Sequence, residues 1–229
     1  MENLFDTIND PKTWDDDRTP KGRDRWTSII YEKKLKNIAK VIAEIGFDLT
    51  NQAPSVIGLC EIENRRVLED LIKTESLIKE NYKIIHYDSP DERGIDVAML
   101  FKQNRFIVSS SKTYPLYLKR KDGSRDYTRD HLLVSGFLDK NPIHFIINHW
   151  PSRSGGQMRS EPSRILAGKL NKKIIDSILQ SNPKANIISM GDFNDNPGDK
   201  SIKPILNTIF KKSKIKEGQL FNPMEELYR

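Results

Sequence analysis

Cysteine is nearly absent from this chain. Cys60 is the only one in 229 residues, so no disulfide can form within the chain. It ends an apolar run, which is how an inert core thiol reads. Long apolar stretches are missing too, and nothing approaches the roughly 20 residues that a membrane-spanning helix needs. Apolar residues make up only 36% while 31% are charged, which predicts a heavily ionised surface. Repeats, low-complexity segments and linker-like stretches are all lacking, which points to a single domain over residues 1–229. The glycine-bearing loop Ser152 to Gly156 lacks a Gly-Lys-Ser/Thr ending, so it is not a Walker-type nucleotide loop. The net charge of +6 favours a polyanionic partner over an acidic surface's ligands.

Three short apolar runs each end on a residue suited to phosphate or metal chemistry. Val56 to Cys60 runs into Glu61, Phe145 to Asn148 into His149, and Asn186 to Gly191 into Asp192. Runs of this length, rich in Ile and Val and bounded by turn formers, read as buried strands. Further strands are expected at Lys83 to Tyr87, Val97 to Phe101, Phe106 to Ser109 and Leu132 to Leu138. Helical spacing is expected from Arg25 to Ile45, Val67 to Glu80, Ser163 to Leu179 and around Ile202 to Phe210. Strands mixed with helices in this order give an α/β class.

The residues alone leave alternatives open. Glu61 closes a buried run, so its carboxylate is a metal ligand or is paired with Arg65 or Arg66. Asp192 and Asn194 fit a plain Asx turn as well as a catalytic loop, and Asp195 reads as a cap or turn residue. His149 is either a satisfied structural imidazole or a proton-transfer group. The loop holding Ser152 and Arg153 is donor-rich and cationic, suited to phosphate. Arg93 and Arg129 offer planar forks for phosphate, with surface ion pairing such as Arg93 to Asp96 as the alternative. Lys119 to Arg125 reads as a basic hairpin tip, and Lys211 to Lys216 as a second basic cluster; each is a solvated face or a nucleic-acid track.

The segments around Glu61, Arg93-Gly94-Ile95-Asp96, Asn148-His149-Trp150-Pro151-Ser152-Arg153 and Gly191-Asp192-Phe193-Asn194-Asp195 occur in a telling order. In that order they resemble the endonuclease/exonuclease/phosphatase superfamily, the group of deoxyribonuclease I. The opening Glu2-Asn3-Leu4-Phe5-Asp6 and the His-Trp-Pro-Ser-Arg element look most like its bacterial endonuclease-like branch. The resemblance implies a four-layer α/β sandwich and Mg²⁺- or Mn²⁺-dependent phosphodiester hydrolysis, with DNA as partner. It implies Glu61 and Asp192 as metal ligands and His149, Asp192 and Asn194 as catalytic. Arg129, Arg93, Arg153 and Ser152 would contact substrate phosphate. A phosphatase, a lipid phosphodiesterase or a non-catalytic phosphate-binding domain is the alternative. The family also carries an Asn just before the segment matching Glu2 and a near-terminal Asp-His pair supplying the base. The chain is expected to lack both family termini, and therefore to be inactive as it stands.

Overall fold

A computed structural model describes residues 3–228, so Glu2 of the opening motif lies outside the described residues. The α-helices among the described residues are α1 (Ser28–Glu44), α2 (Phe47–Thr50), α3 (Arg65–Ile72), α4 (Gln157–Ser181) and α5 (Met224–Tyr228). The strands are β1 (Val56–Ile62), β2 (Tyr82–His86), β3 (Asp96–Lys102), β4 (Phe106–Tyr114), β5 (Leu118–Lys119) and β6 (Arg125–Asp126). They continue with β7 (His131–Leu138), β8 (Asn141–His149), β9 (Ile187–Asp192), β10 (Thr208–Ile209) and β11 (Leu220–Phe221).

Two sheets carry the structure. One has the order β1-β3-β2, antiparallel throughout. The other has the order β4-β7-β8-β9, and only its β8–β9 pair is parallel. That parallel pair requires a crossover, and α4 supplies it.

Side-chain alternation then builds three apolar layers. Ala98 and Leu100 of β3 face Leu35 and Ala39 of α1 and Leu68 and Leu71 of α3. Val97, Met99 and Phe101 of the same strand face Leu132, Val134, Phe145 and Ile147 of the second sheet. Beyond that sheet, Ile146 packs with Ala167, Ile174 and Ile175 of α4. The result is the expected helix–sheet–sheet–helix sandwich. Every residue of β3 is buried because both of its faces are covered.

Several elements differ from the sequence expectation. The helix expected to reach Glu80 stops at Ile72, where the Thr74 hydroxyl donates to the Leu71 carbonyl at 2.8 Å. Only a short 3₁₀ turn, Ile78–Glu80, follows it. No helix forms over 202–210: Pro204 has no N–H to offer, Asn207 is left-handed at φ 54°, and Thr208 and Ile209 pair with β11 instead. The fourth strand runs on to Tyr114 through a bulge between Val108 and Ser110. Helix α4 begins at Gln157, ahead of Pro162. Arg164 ties back that first turn, donating to Ser160 Oγ at 2.7 Å and to the Gln157 carbonyl at 3.3 Å.

Candidate active site

The end of β1 is distorted where its chemistry lies. Pairing with β3 slips between Cys60 and Ile62, and Glu61 occupies the slip with φ 59°. A glutamate in the left-handed region is strained, so the surrounding contacts must hold it there. The Leu4 amide donates to the Glu61 carbonyl at 2.9 Å, and the Glu63 amide to the Leu4 carbonyl at 3.1 Å. The Glu61 carboxylate takes the Asn3 amide on Oε2 at 2.7 Å and turns Oε1 toward His149 Nε2 at 3.7 Å. Arg65 pairs with Glu69 and Arg66 reaches toward Asp6, so neither is bonded to Glu61. Glu63 points into a different environment. Its carboxyl accepts the Asp6 amide at 2.5 Å, and burial pushes its pKa up to about 8, which keeps it protonated at neutral pH.

His149 ends β8, in register with Asp192 on β9. The two strands share the face of β1, since the Cys60 thiol donates to the Asn148 carbonyl at 3.2 Å. Burial lifts the Cys60 thiol to about 11, as befits a core thiol. Burial, reinforced by the positive charges of Arg129 and Arg93, lowers the His149 pKa to about 3. The imidazole is therefore neutral, and its buried Nδ1 has no hydrogen-bond partner among the described residues.

Asp192 is exposed, and its Oδ1 accepts the Asn194 amide at 2.9 Å, closing the Asx turn. Its backbone carbonyl accepts the Trp150 amide at 2.8 Å. Gly191 precedes it with φ 132°, where an added Cβ would meet the Asn148 carbonyl oxygen at 2.0 Å. Only glycine fits there.

The expected phosphate contacts divide. Arg129 is buried, giving Nη1 to Asp91 at 3.0 Å and Nη2 to the Trp150 carbonyl at 2.8 Å. Arg93 is exposed and leans on Asp91 at 3.4 Å, not on Asp96. Asp96 braces no arginine; it accepts from the Ser89 amide and hydroxyl at 2.8 and 2.5 Å and lies 3.0 Å from His86 Nε2. Arg153 donates to the Asn194 carbonyl at 2.9 Å and to Asp199 at 3.1 Å, which fastens the 152–156 loop to the Asp192 turn. Ser152 is exposed, with its carbonyl accepting from Arg164.

Sequence reasoning missed the supports beneath this rim. Asn148 donates to the Ile146 and Met190 carbonyls and to Ser189 Oγ, and its Oδ1 accepts from Trp150 Nε1 and Asn171. An asparagine inside an apolar run is a readable signal, because a buried amide must find partners. Asp195 is more than a turn residue: its buried carboxylate forms an ion pair with Arg164, 2.6 Å from Nε, and accepts the Ser201 hydroxyl at 2.6 Å.

Glu61 and Asp192 offer hard carboxylate oxygens, and among the described residues no backbone donor bonds Glu61 Oε1, a donor set whose chemistry suits a divalent cation. A separate imidazole–carboxylate cluster, His86 with Asp88 and Asp96, sits at the ends of β2 and β3.

The layered sandwich with its strand-end carboxylate, imidazole and Asx turn is a deoxyribonuclease I-like scaffold. The chain belongs to the endonuclease/exonuclease/phosphatase family, whose model matches residues 1–229. A comparison with curated protein sequences finds no match. Among solved structures, TDP2 from Caenorhabditis elegans is similar at 17% identity and a TM-score of 0.53, over 76% of this chain and 45% of that one. The human nocturnin catalytic domain with bound sulfate is similar at 18% identity and a TM-score of 0.53, over 83% and 70%. The Bacteroides thetaiotaomicron mannosyl-6-phosphatase is similar at 15% identity and a TM-score of 0.53, over 76% and 62%. The chain spans about half the length of the worm structures, 45%, 58% and 47% of the three.

Proposed function

We propose that this protein, as one domain over 1–229, is a divalent-metal-dependent phosphodiester hydrolase acting on nucleic acid, with DNA as the first substrate to test. The observation that supports it most is His149, a neutral imidazole 3.7 Å from Glu61 in a field made positive by Arg129 and Arg93. A neutral imidazole can donate or accept a hydrogen bond, and the positive field attracts a phosphodiester anion.

Glu61 and Asp192 would hold Mg²⁺ or Mn²⁺. The bound cation would neutralise charge on the scissile phosphate. Asn194 Nδ2 uses one hydrogen on the Trp150 carbonyl and keeps a second for a phosphate oxygen. His149, being neutral, serves the leaving-oxygen side as a hydrogen-bond donor. Arg93, Arg153 and Ser152 edge the phosphate path, while Arg129 acts from below through its charge. A Lewis acid beside a positioned donor accelerates phosphoester cleavage by stabilising charge that grows in the transition state.

Purified protein should be offered plasmid DNA, RNA, sphingomyelin and inositol phosphates with Mg²⁺ or Mn²⁺. Nicking of DNA that chelator and Glu61→Gln both abolish is the expected result, and it would overturn the sequence-based expectation that the chain is inactive as it stands. Hydrolysis confined to the phosphomonoesters would turn the reading to a phosphatase. Loss of no activity on Glu61→Gln would sink the metal assignment.

A further inference from the structure

The β5–β6 hairpin carries an arrangement that the hydrolytic site does not use. Arg125 stacks its guanidinium on two rings at once, 4.5 Å from the centroid of Tyr117 and 4.6 Å from that of Tyr127. Each tyrosine gives part of its surface to the cation, yet Tyr117 remains 67% exposed and Tyr127 43%. Arg125 Nε is buried and has no hydrogen-bond partner among the described residues. Nothing within the hairpin's fold requires two exposed aromatic rings on one cation. The core contact is made by Leu118 instead, which is 4% exposed.

The surroundings are basic and adjacent to the rim. Residues 117–127 hold four cations, Lys119, Arg120, Lys121 and Arg125, against Asp122 and Asp126. Asp122 is turned onto its own hairpin, accepting the Ser124 amide at 3.0 Å and hydroxyl at 2.7 Å. Arg120 is bonded to Glu92, which anchors the hairpin beside the loop of Asp91 and Arg93. Tyr127 stands two residues before Arg129, whose Nη2 holds the carbonyl of the residue after His149. Two residues of extended chain span about 7 Å, which keeps the backbone of Tyr127 close to that of Arg129.

We propose that Tyr117, Arg125 and Tyr127 form a stacking platform for the unpaired bases of a single-stranded nucleic acid whose backbone enters the neighbouring site. A π-face backed by a cation accepts any base, and an unpaired strand exposes both its bases and a polyanionic backbone to this one patch. Paired bases hide their faces in the duplex and gain little from such a platform. The inference rests on reading the neighbouring site as one that takes nucleic acid, and it narrows the substrate to single strands or frayed ends.

The test is binding without divalent metal, so that cleavage plays no part. Fluorescence anisotropy would follow a labelled oligothymidylate, the same strand paired with oligoadenylate, and an abasic strand of equal length. Tyr117→Leu and Tyr127→Leu should each weaken oligothymidylate binding about ten-fold, as loss of a stacked base does. Their binding of the abasic strand should be unchanged. Arg125→Met is the second probe should either leucine variant fold poorly, and it should weaken both tyrosine contacts together. Equal binding of abasic and base-bearing strands, or unchanged affinity in all three variants, would overturn the platform. Tyrosine-dependent binding to phosphatidylserine vesicles with none to oligothymidylate would overturn it in favour of a lipid surface. Nicking of DNA with variants that bind like wild type would sink the platform alone. Tyrosine-dependent binding with no hydrolysis of any substrate would leave the platform standing and sink the hydrolase reading.

Discussion

Arg129 and Asn194 share a single acceptor: the Trp150 carbonyl oxygen takes Arg129 Nη2 at 2.8 Å and Asn194 Nδ2 at 2.9 Å. Two segments 65 positions apart (194 − 129) therefore fix the Trp150–Pro151 peptide, one residue beyond His149. The Trp150 ring below is wholly buried and packs edge-on against Phe193 at 4.8 Å. The imidazole's placement thus depends on both strand ends and on the Asp192 turn.

Isothermal titration of Mg²⁺ or Mn²⁺ should register binding to wild type and a loss of about ten-fold or more on Glu61→Gln, as expected when a charged ligand is removed. Identical isotherms would remove Glu61 from the ligand set.

Asn194→Asp keeps the side chain's size but sets a carboxylate against the Trp150 carbonyl and removes both N–H donors. Turnover should fall about 10²–10³-fold, the loss typical of a deleted transition-state donor. His149→Ala should cost about 10²–10³-fold with an unaltered circular dichroism spectrum. Steady-state rates on the best substrate check both; a near-native kcat in either variant strips that residue of its role.

Asp195→Ala should destabilise the fold by about 3–5 kcal/mol, because it strands the fully buried Arg164 guanidinium without its carboxylate. Urea denaturation would measure it, and a change under about 1 kcal/mol would contradict a buried pair that matters.

Stability should fall on acidification. Burial holds His131 and His149 at about 3, against 6.5 in an unfolded chain. The unfolded state therefore gains protons as pH drops below 6.5 that the folded state refuses until about 3, and stability is lost across that window. Glu63 acts in the opposite sense. Its folded pKa of about 8 exceeds 4.5, so its contribution is full below 4.5 and is lost as pH rises through 8. His131→Phe should flatten the acid side of the profile; an unchanged slope in urea titrations between pH 7 and 5 would refute the assignment.

The three apolar runs and their end residues were legible because a buried strand declares itself through local composition. The α/β order followed from the same signal, and the layering from the resemblance. What stayed hidden depends on partners distant in sequence. Asp195 looks like any turn aspartate until Arg164 arrives from α4. Arg129 looks like a free fork until Asp91 and the Trp150 carbonyl occupy it. The absent helix over 202–210 shows the same thing, since pairing of Thr208 and Ile209 with β11 overrode a helical spacing that Pro204 had already weakened.

The left-handed backbone at Glu61 carries a consequence for lineage. Glycine or asparagine would sit at φ 59° with less strain than glutamate does. Glutamate should persist in that turn only while something selects for its carboxylate. Descendants that gave up the reaction should drift toward Gly or Asn there. The occupant of this one turn then becomes a marker, readable from sequence alone, that separates working enzymes from retired ones.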